Sequence, residues 1–429
     1  MTDTKAARAA LFRDRNFFWL TSGAAVSMLG DQFTLIALPW LVLKMTGDTL
    51  VLGTVLALIS VPRALFILVG GAMVDRHSPK QVLMWTKHVN AVLLGLLAAG
   101  VFSGALTLPV IYALSLGIGV ATAFSIPSAT AMLPHAVRPE HLGGANSVML
   151  GLRQFSMFLG PLLAGLLIAL FGDGGGTHMA DAKGIAIAFA FDAFSFAASA
   201  WTLSHVVTRN ANEGTQPAPV AVWTSIRQGL GYIGRDAELR TCYLYWAAVA
   251  ILVMGPLHIA LPVLASTQAG LGASALGLML GAHGAGTLLG MGISGAKPQL
   301  RLGTLGTTML VLDVVIGLLF MPMGHIGAAW QGALLMGTIG MLGGFMQVRV
   351  FTWLQRRLPP ALLGRGMALF MFIFMGLVPM ASAVTGWLLR SITLPQLFAA
   401  SGALLVLTAL VAAVGSPLRR INDRSAAQA

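Results

Sequence analysis

Charge is what this chain is short of. Only 9% of its 429 residues are Asp, Glu, Lys or Arg, against about 25% in a soluble domain, so a water-facing surface of this size is excluded. Cysteine is nearly absent as well. The single Cys242 leaves no internal disulfide and argues against a Cys-based metal cluster; it reads as a small apolar filler. Enzyme signatures are missing too: there is no G-x-x-x-x-G-K-[ST], no HExxH and no GxSxG. The stretch GDGGGTHMADAK, residues 172–183, lacks the lysine placement and the strand-to-helix setting of a phosphate loop. Neither a cofactor, a metal nor a catalytic residue is expected.

What is present is apolar length. Hydrophobic residues make up 57% of the chain and the mean hydropathy is +0.83, which places it in a membrane. A helix rises about 1.5 Å per residue, so about 20 residues cross the ~30 Å hydrocarbon layer. Twelve such spans are expected, at 17–43, 49–73, 81–103, 107–132, 144–171 and 184–207, then at 241–264, 273–295, 303–322, 327–352, 364–389 and 395–415. The runs show no period-2 alternation, which favours helices over a barrel. No cleavable signal peptide is expected, because the first run is too long and a second follows at once.

A net charge of +12 would suggest nucleic acid in a soluble protein, but its distribution makes it a topology signal. Of 26 Lys and Arg, three (Lys44, Lys183 and Arg390) fall in outer segments and two (Arg63 and Arg153) within spans. The other 21, Lys87, Arg349 and Lys80 among them, are assigned to inner segments. The positive-inside rule then puts both termini in the cytoplasm. Basic residues read as contacts to membrane lipid, with no nucleic-acid partner.

Residues 208–224 form the one long polar linker and divide the spans six from six. After it, Ile226, Leu230 and Ile233 share a helical face opposite charge, as in a helix lying on the inner membrane surface. The expected organisation is a half at 1–207, a cytoplasmic linker with an amphipathic helix at 208–240, and a second half with a short tail at 241–429. The halves resemble each other at an offset of 221 residues: Pro139, Leu142, Gly143 and Gly165 match Pro360, Leu363, Gly364 and Gly386. Repeated halves suggest an alternating-access transporter.

Between spans 2 and 3 stands GGAMVDRHSPK, residues 70–80, which resembles the motif A loop of the major facilitator superfamily. Gly71, Asp75, Arg76 and Lys80 fit its skeleton, while Ser78 and Pro79 depart from it. The resemblance implies a contact from Asp75 to the start of span 11, near Gly364 to Gly366, that holds the cytoplasmic side closed, with Arg76 and Lys80 on the anionic leaflet. FSIPSATAMLPHAVRPEHLGGANSVM, FLGPLLAG, LGDQFTLIALPWLV and FDAFSFAASA are similar to a narrower branch, that of enterobactin exporters and macrolide efflux pumps. In that setting Gly160, Pro161 and Gly165 resemble the helix-bending motif C of antiporters. Span 4 carries no arginine, a departure from the motif B of many drug/proton antiporters.

A charge in the bilayer core is costly and reads as functional or paired. Asp31 lies about 18 Å and Arg63 about 21 Å below the outer ends of spans 1 and 2, so a direct pair between them is expected if their faces coincide. The resemblance makes span 1 a cavity wall, with Ser27 and Thr34 beside Asp31. Asp31 would take a proton or a cationic group. His283, in mid-span 8, is a further coupling candidate, since its neighbour Gly284 matches Arg63 at the same offset. Asp192 and Asp313 read as hydrogen-bonding groups between helices, and Gly286 with Gly290 as a close-packing GxxxG pair.

The expected protein is an all-α integral membrane transporter of twelve transmembrane helices in two pseudo-symmetric six-helix bundles. By resemblance it exports amphipathic small molecules (a drug, siderophore or other metabolite) in exchange for protons, as a monomer in a bacterial inner membrane. The alternative is an uptake permease for a small metabolite, and the distant one a membrane-embedded enzyme.

Overall fold

A bilayer offers no water to backbone N–H and C=O groups, so each crossing segment must satisfy its own ladder. In the structure, a computed structural model, these runs are accordingly helical. It describes residues 11, 13–76, 78–172, 182–208, 222–268, 270–297, 299–359 and 362–421; of 67–76 and 222–226 only the backbone is described. The helices are α1 (Arg15–Thr46), α2 (Thr49–Arg76), α3 (Pro79–Ser103), α4 (Leu108–Ala136), α5 (Leu142–Phe171), α6 (Lys183–Ser204), α7 (Val222–Arg235), α8 (Ala237–Val249), α9 (Gly255–Thr267), α10 (Ala273–Ala296), α11 (Leu305–Phe320), α12 (Ala329–Arg357), α13 (Leu363–Phe372), α14 (Val378–Leu388) and α15 (Leu394–Gly415). Among the described residues twelve helical stretches are long and apolar enough to cross a membrane.

Local chemistry sets the ends. Asp14 accepts from the N–H of Asn16 at 2.9 Å to start α1, and Gly47, at φ 62°, closes it by donating to the Leu43 carbonyl. Spans 7 and 11 are each two helices joined by a π turn, Ala250–Met254 between α8 and α9 and Ile373–Leu377 between α13 and α14. Both turns precede a proline, Pro256 and Pro379. A proline has no N–H to donate and its ring crowds the preceding turn, and a widened turn accommodates both defects.

Two compact units result. One comprises Met1–Gly47, Leu58–Ala218 and Gly272–Gly277; the other comprises Asp48–Ala57, Pro219–Leu271 and Leu278–Ala429. Each therefore includes a short helical segment from the opposite half of the sequence. In the first unit a Cβ at Gly165 would press on Ala273 and Gly277, and in the second a Cβ at Gly386 would press on Thr49 and Gly53. Gly165 and Gly386 match at the 221-residue offset, so the repeat marks equivalent close crossings.

In the second unit, Arg390 bonds Asp48 at 2.5 Å and Thr49 Oγ1 donates to the Gly386 carbonyl at 2.8 Å. The Arg390 hydrogen bond holds the Asp48 carboxyl below the usual carboxylate range. A lowered folded pKa means stabilisation that is complete above the unfolded value of about 3.9 and is lost as pH falls through the folded one. Both side chains are partly solvated, so Asp48→Asn is expected to cost only about 0.2–1 kcal/mol at pH 7. The thermal midpoints of variant and wild type should converge at acid pH; a gap that persists at pH 3 would contradict this.

The segments assigned to the inner side make contacts that the sequence reading did not include. The motif A-like stretch is helix through Arg76, and helix resumes at Pro79. The side chains of Gly71, Asp75 and Arg76, and hence the expected Asp75 contact, lie outside the described residues. Lys80 Nζ, expected on the leaflet, donates to the Ser204 carbonyl at 2.9 Å and the Val206 carbonyl at 2.7 Å, capping the C-terminal end of α6. Arg349 is buried and caps another turn, with Nη2 donating to the carbonyls of Lys297 and Leu300. On α7, Ile233 is buried, Leu230 is exposed, and Ile226 has no described side chain.

Candidate functional site

The site is built on α1. Ser27, Asp31 and Thr34 follow at i, i+4 and i+7, one helical face, and Gly30 beside them has no side chain. A Cβ there would meet Ser195 and Asp192 of α6, so glycine is what lets α6 bring a second carboxylate against α1. Asp192 is buried and takes two hydroxyl hydrogen bonds, from Thr34 Oγ1 at 2.5 Å and Ser195 Oγ at 3.1 Å. That is the interhelical role expected of it, but it also lies in the field of Asp31.

Asp31 is different. It sits mid-helix, is exposed, and among the described residues makes no hydrogen bond or ion pair. The cations acting on it are Lys87 of α3 first, then Arg63 of α2 and Arg153 of α5. The expected direct Asp31 to Arg63 pair is therefore not formed. Arg63 keeps a buried Nε–H without a hydrogen-bond partner and interacts with Asp31 through space. Four helices thus converge one open carboxylate on three cations.

Lys87 corrects the sequence reading most sharply, because it does not belong to a cytoplasmic segment. Its Nζ donates to Ser27 Oγ at 2.7 Å, lies 4.7 Å from the Phe196 ring centroid, and interacts with both Asp31 and Asp192. A signal was available: Thr86 and Asn90, its neighbours on α3, are buried polar residues, so that helix carries a polar stripe inward.

The motif C-like residues have a packing role here. α5 is one helix from Leu142 to Phe171 with Pro161 inside it. A Cβ at Gly160 would meet Gln32 of α1, beside Asp31, while Gly165 makes the crossing described above. In the second unit the electrostatic neighbour of His283 is His258 of α9, which sequence reasoning missed. Asp313 of α11 accepts from Tyr245 OH of α8 at 2.8 Å, both buried, as the interhelical reading expected. Among the described residues no three His, Cys, Asp or Glu side chains gather to hold a metal.

Charged side chains inside apolar helices, built into two repeated units, are transporter architecture, and the sequence profile of the Major Facilitator Superfamily matches residues 20–383. The chain belongs to that superfamily. It is a multi-pass membrane transporter, not an enzyme. Macrolide efflux protein A of Streptococcus pyogenes is 25% identical over 155 residues, which cover 36% of this transporter and 38% of that protein. The matched segment thus spans about two fifths of the curated relative. The crystal structure of a bacterial homologue of the iron transporter ferroportin, in an inward-facing state, has a TM-score of 0.67 at 18% identity, covering 92% of this chain and 98% of that one. A D-xylose-proton symporter has a TM-score of 0.69 at 13% identity, covering 94% and 98%. At these identities the likeness is one of fold.

Proposed function

We propose that this transporter exports amphipathic small molecules by alternating access, in exchange for protons, with Asp31 as the group that takes the proton. The observation that carries the reading is Asp31 itself, an exposed carboxylate within a membrane-spanning helix that makes no hydrogen bond among the described residues and is faced by three cations. Protonation removes its attraction for Lys87, Arg63 and Arg153, which sit on three other helices, and so loosens α1 from them. A cationic substrate group competes with the proton for the same carboxylate, and competition at one site is the linkage that exchange requires. The partial similarity to a macrolide efflux protein supports the outward direction.

Ser27 and Thr34 support the site by holding Lys87 and Asp192. Arg63 serves as a through-space counter-charge, and His283 with His258 as a second titratable locus. Gly71, Asp75, Arg76 and Lys80 gate the cytoplasmic side. Both termini lie in the cytoplasm, in a bacterial inner membrane, and the transporter acts as a monomer in contact with lipid.

Fluorescent-cation efflux from drug-sensitive cells tests this. Cells expressing the transporter should lose dye faster than vector controls, and a protonophore should abolish the difference. Faster accumulation of the probe in expressing cells would instead favour uptake and overturn the export reading.

A further inference from the structure

In the exchange described above Lys87 enters only as one of three cations facing Asp31. Its surroundings are unusual for a buried ammonium. The two atoms groups it touches, the Ser27 hydroxyl at 2.7 Å and the Phe196 ring at 4.7 Å, are neutral. The two carboxylates that act on it, Asp31 on α1 and Asp192 on α6, act through space. Neither forms a direct ion pair with it among the described residues. Of the two, Asp192 is already held by Thr34 and Ser195, whereas Asp31 has no such bond.

An ammonium on a flexible four-carbon stem, held by neutral groups between two carboxylates, is committed to neither. We propose that Lys87 is the internal counter-ion of the proton site: it compensates Asp31 when that carboxylate is ionised, relies on Asp192 when Asp31 is protonated, and so sets the pH at which Asp31 exchanges its proton. Lys87 is a positioning residue, and the inference rests on Asp31 being the proton site.

A buried cation is costly without compensation. With Asp31 ionised, Lys87 has two carboxylates in range; with Asp31 protonated it keeps Asp192, whose two hydroxyl bonds hold it in place. The ammonium therefore keeps a counter-charge at both ends of the proton cycle. The groups acting on Asp31 are Lys87 from α3, Arg63 from α2, Arg153 from α5 and the like charge of Asp192 from α6. Removing one positive charge from this set favours the neutral carboxyl, so proton release moves to higher pH.

The test is a pH titration of the protonated-carboxyl infrared band in purified transporter reconstituted in lipid nanodiscs. Asp31→Asn identifies the component that belongs to Asp31. Lys87→Gln is expected to raise the midpoint of that component by about one pH unit or more, and Lys87→Arg, which keeps the charge, to hold it near the wild-type value. Lys87→Met, with an apolar stem of similar length, gives the same reading as the glutamine variant should the latter fail to fold. An unmoved midpoint in Lys87→Gln and Lys87→Met, or an equal shift in Lys87→Arg, overturns the counter-ion role while leaving Asp31 as the proton site. If Asp31→Asn removes no component, the proton site itself fails, and the counter-ion with it.

Discussion

Asp31→Asn is expected to cut proton-dependent transport at least about tenfold while leaving the protein folded. Asparagine matches aspartate in shape but cannot take up or release a proton. Asp31 makes no hydrogen bond among the described residues, so the substitution breaks no direct contact there. What disappears is one negative charge facing Lys87, Arg63 and Arg153. A differential interaction of about 1.4 kcal/mol between protonation states already corresponds to a factor of ten. Loss of the group proposed to take the proton is expected to exceed that threshold. Efflux at matched membrane levels, with and without an imposed pH gradient, measures the effect. A variant that retains the gradient response would remove Asp31 from the coupling machinery. Asp192→Asn provides the contrast, because it disturbs the bonds from Thr34 and Ser195 and should lower the thermal midpoint as well as activity.

The second large effect is on stability. Gly286→Ala combined with Gly290→Ala is expected to destabilise the transporter by several kcal/mol, at about 1–3 kcal/mol for each overpacked position. Both glycines lie on α10, where an added Cβ would run into the Gly337 and Met341 carbonyl oxygens of α12. Backbone cannot rotate aside as a side chain can, so the two helices must separate along their crossing. Association between helices in lipid rests on such close packing, since lipid tails are as apolar as the surfaces they would cover. Gly292→Ala and Gly295→Ala are the controls. They lie on the same helix with nothing within 4 Å of an added Cβ, and alanine favours a helix by about 0.5–1 kcal/mol over glycine. Their stability should hold or rise. Cys242, buried and the chain's one thiol, provides the readout through its exposure to a thiol-reactive dye on heating. A double variant that melts with the wild type would show that this crossing is not tight in the membrane.

These two predictions stand differently to the sequence. The GxxxG crossing follows from spacing alone: Gly286 and Gly290 fall on one helical face, and the structure puts a neighbouring backbone there. The repeat at Gly165 and Gly386 was equally legible, although its meaning as a pair of equivalent crossings was not. Asp31 could be singled out as a buried charge from the apolar run around it. Its partners could not. Depth along two antiparallel helices matched Asp31 with Arg63, but depth says nothing about the rotation of each helix about its axis, and rotation decides which side chains meet.

Lys87 shows the limit most clearly. The sequence counted it among the basic residues of the inner segments; only the convergence of α1, α3 and α6 turns it inward to Ser27, Phe196 and the two carboxylates. The contacts of Lys80 and Arg349 were equally hidden, because their carbonyl partners lie on segments 49 to 126 residues distant. By itself, the sequence determined that the chain crosses a membrane as helices, that there are twelve spans in two related sets, and that charge stands at membrane depth, because composition and the bilayer's demand for closed hydrogen-bond ladders act on each segment separately. Tertiary structure alone decided which charges face one another and which are capped by backbone, because those relations depend on how separate helices are rotated and packed, and no single helix's periodicity contains that.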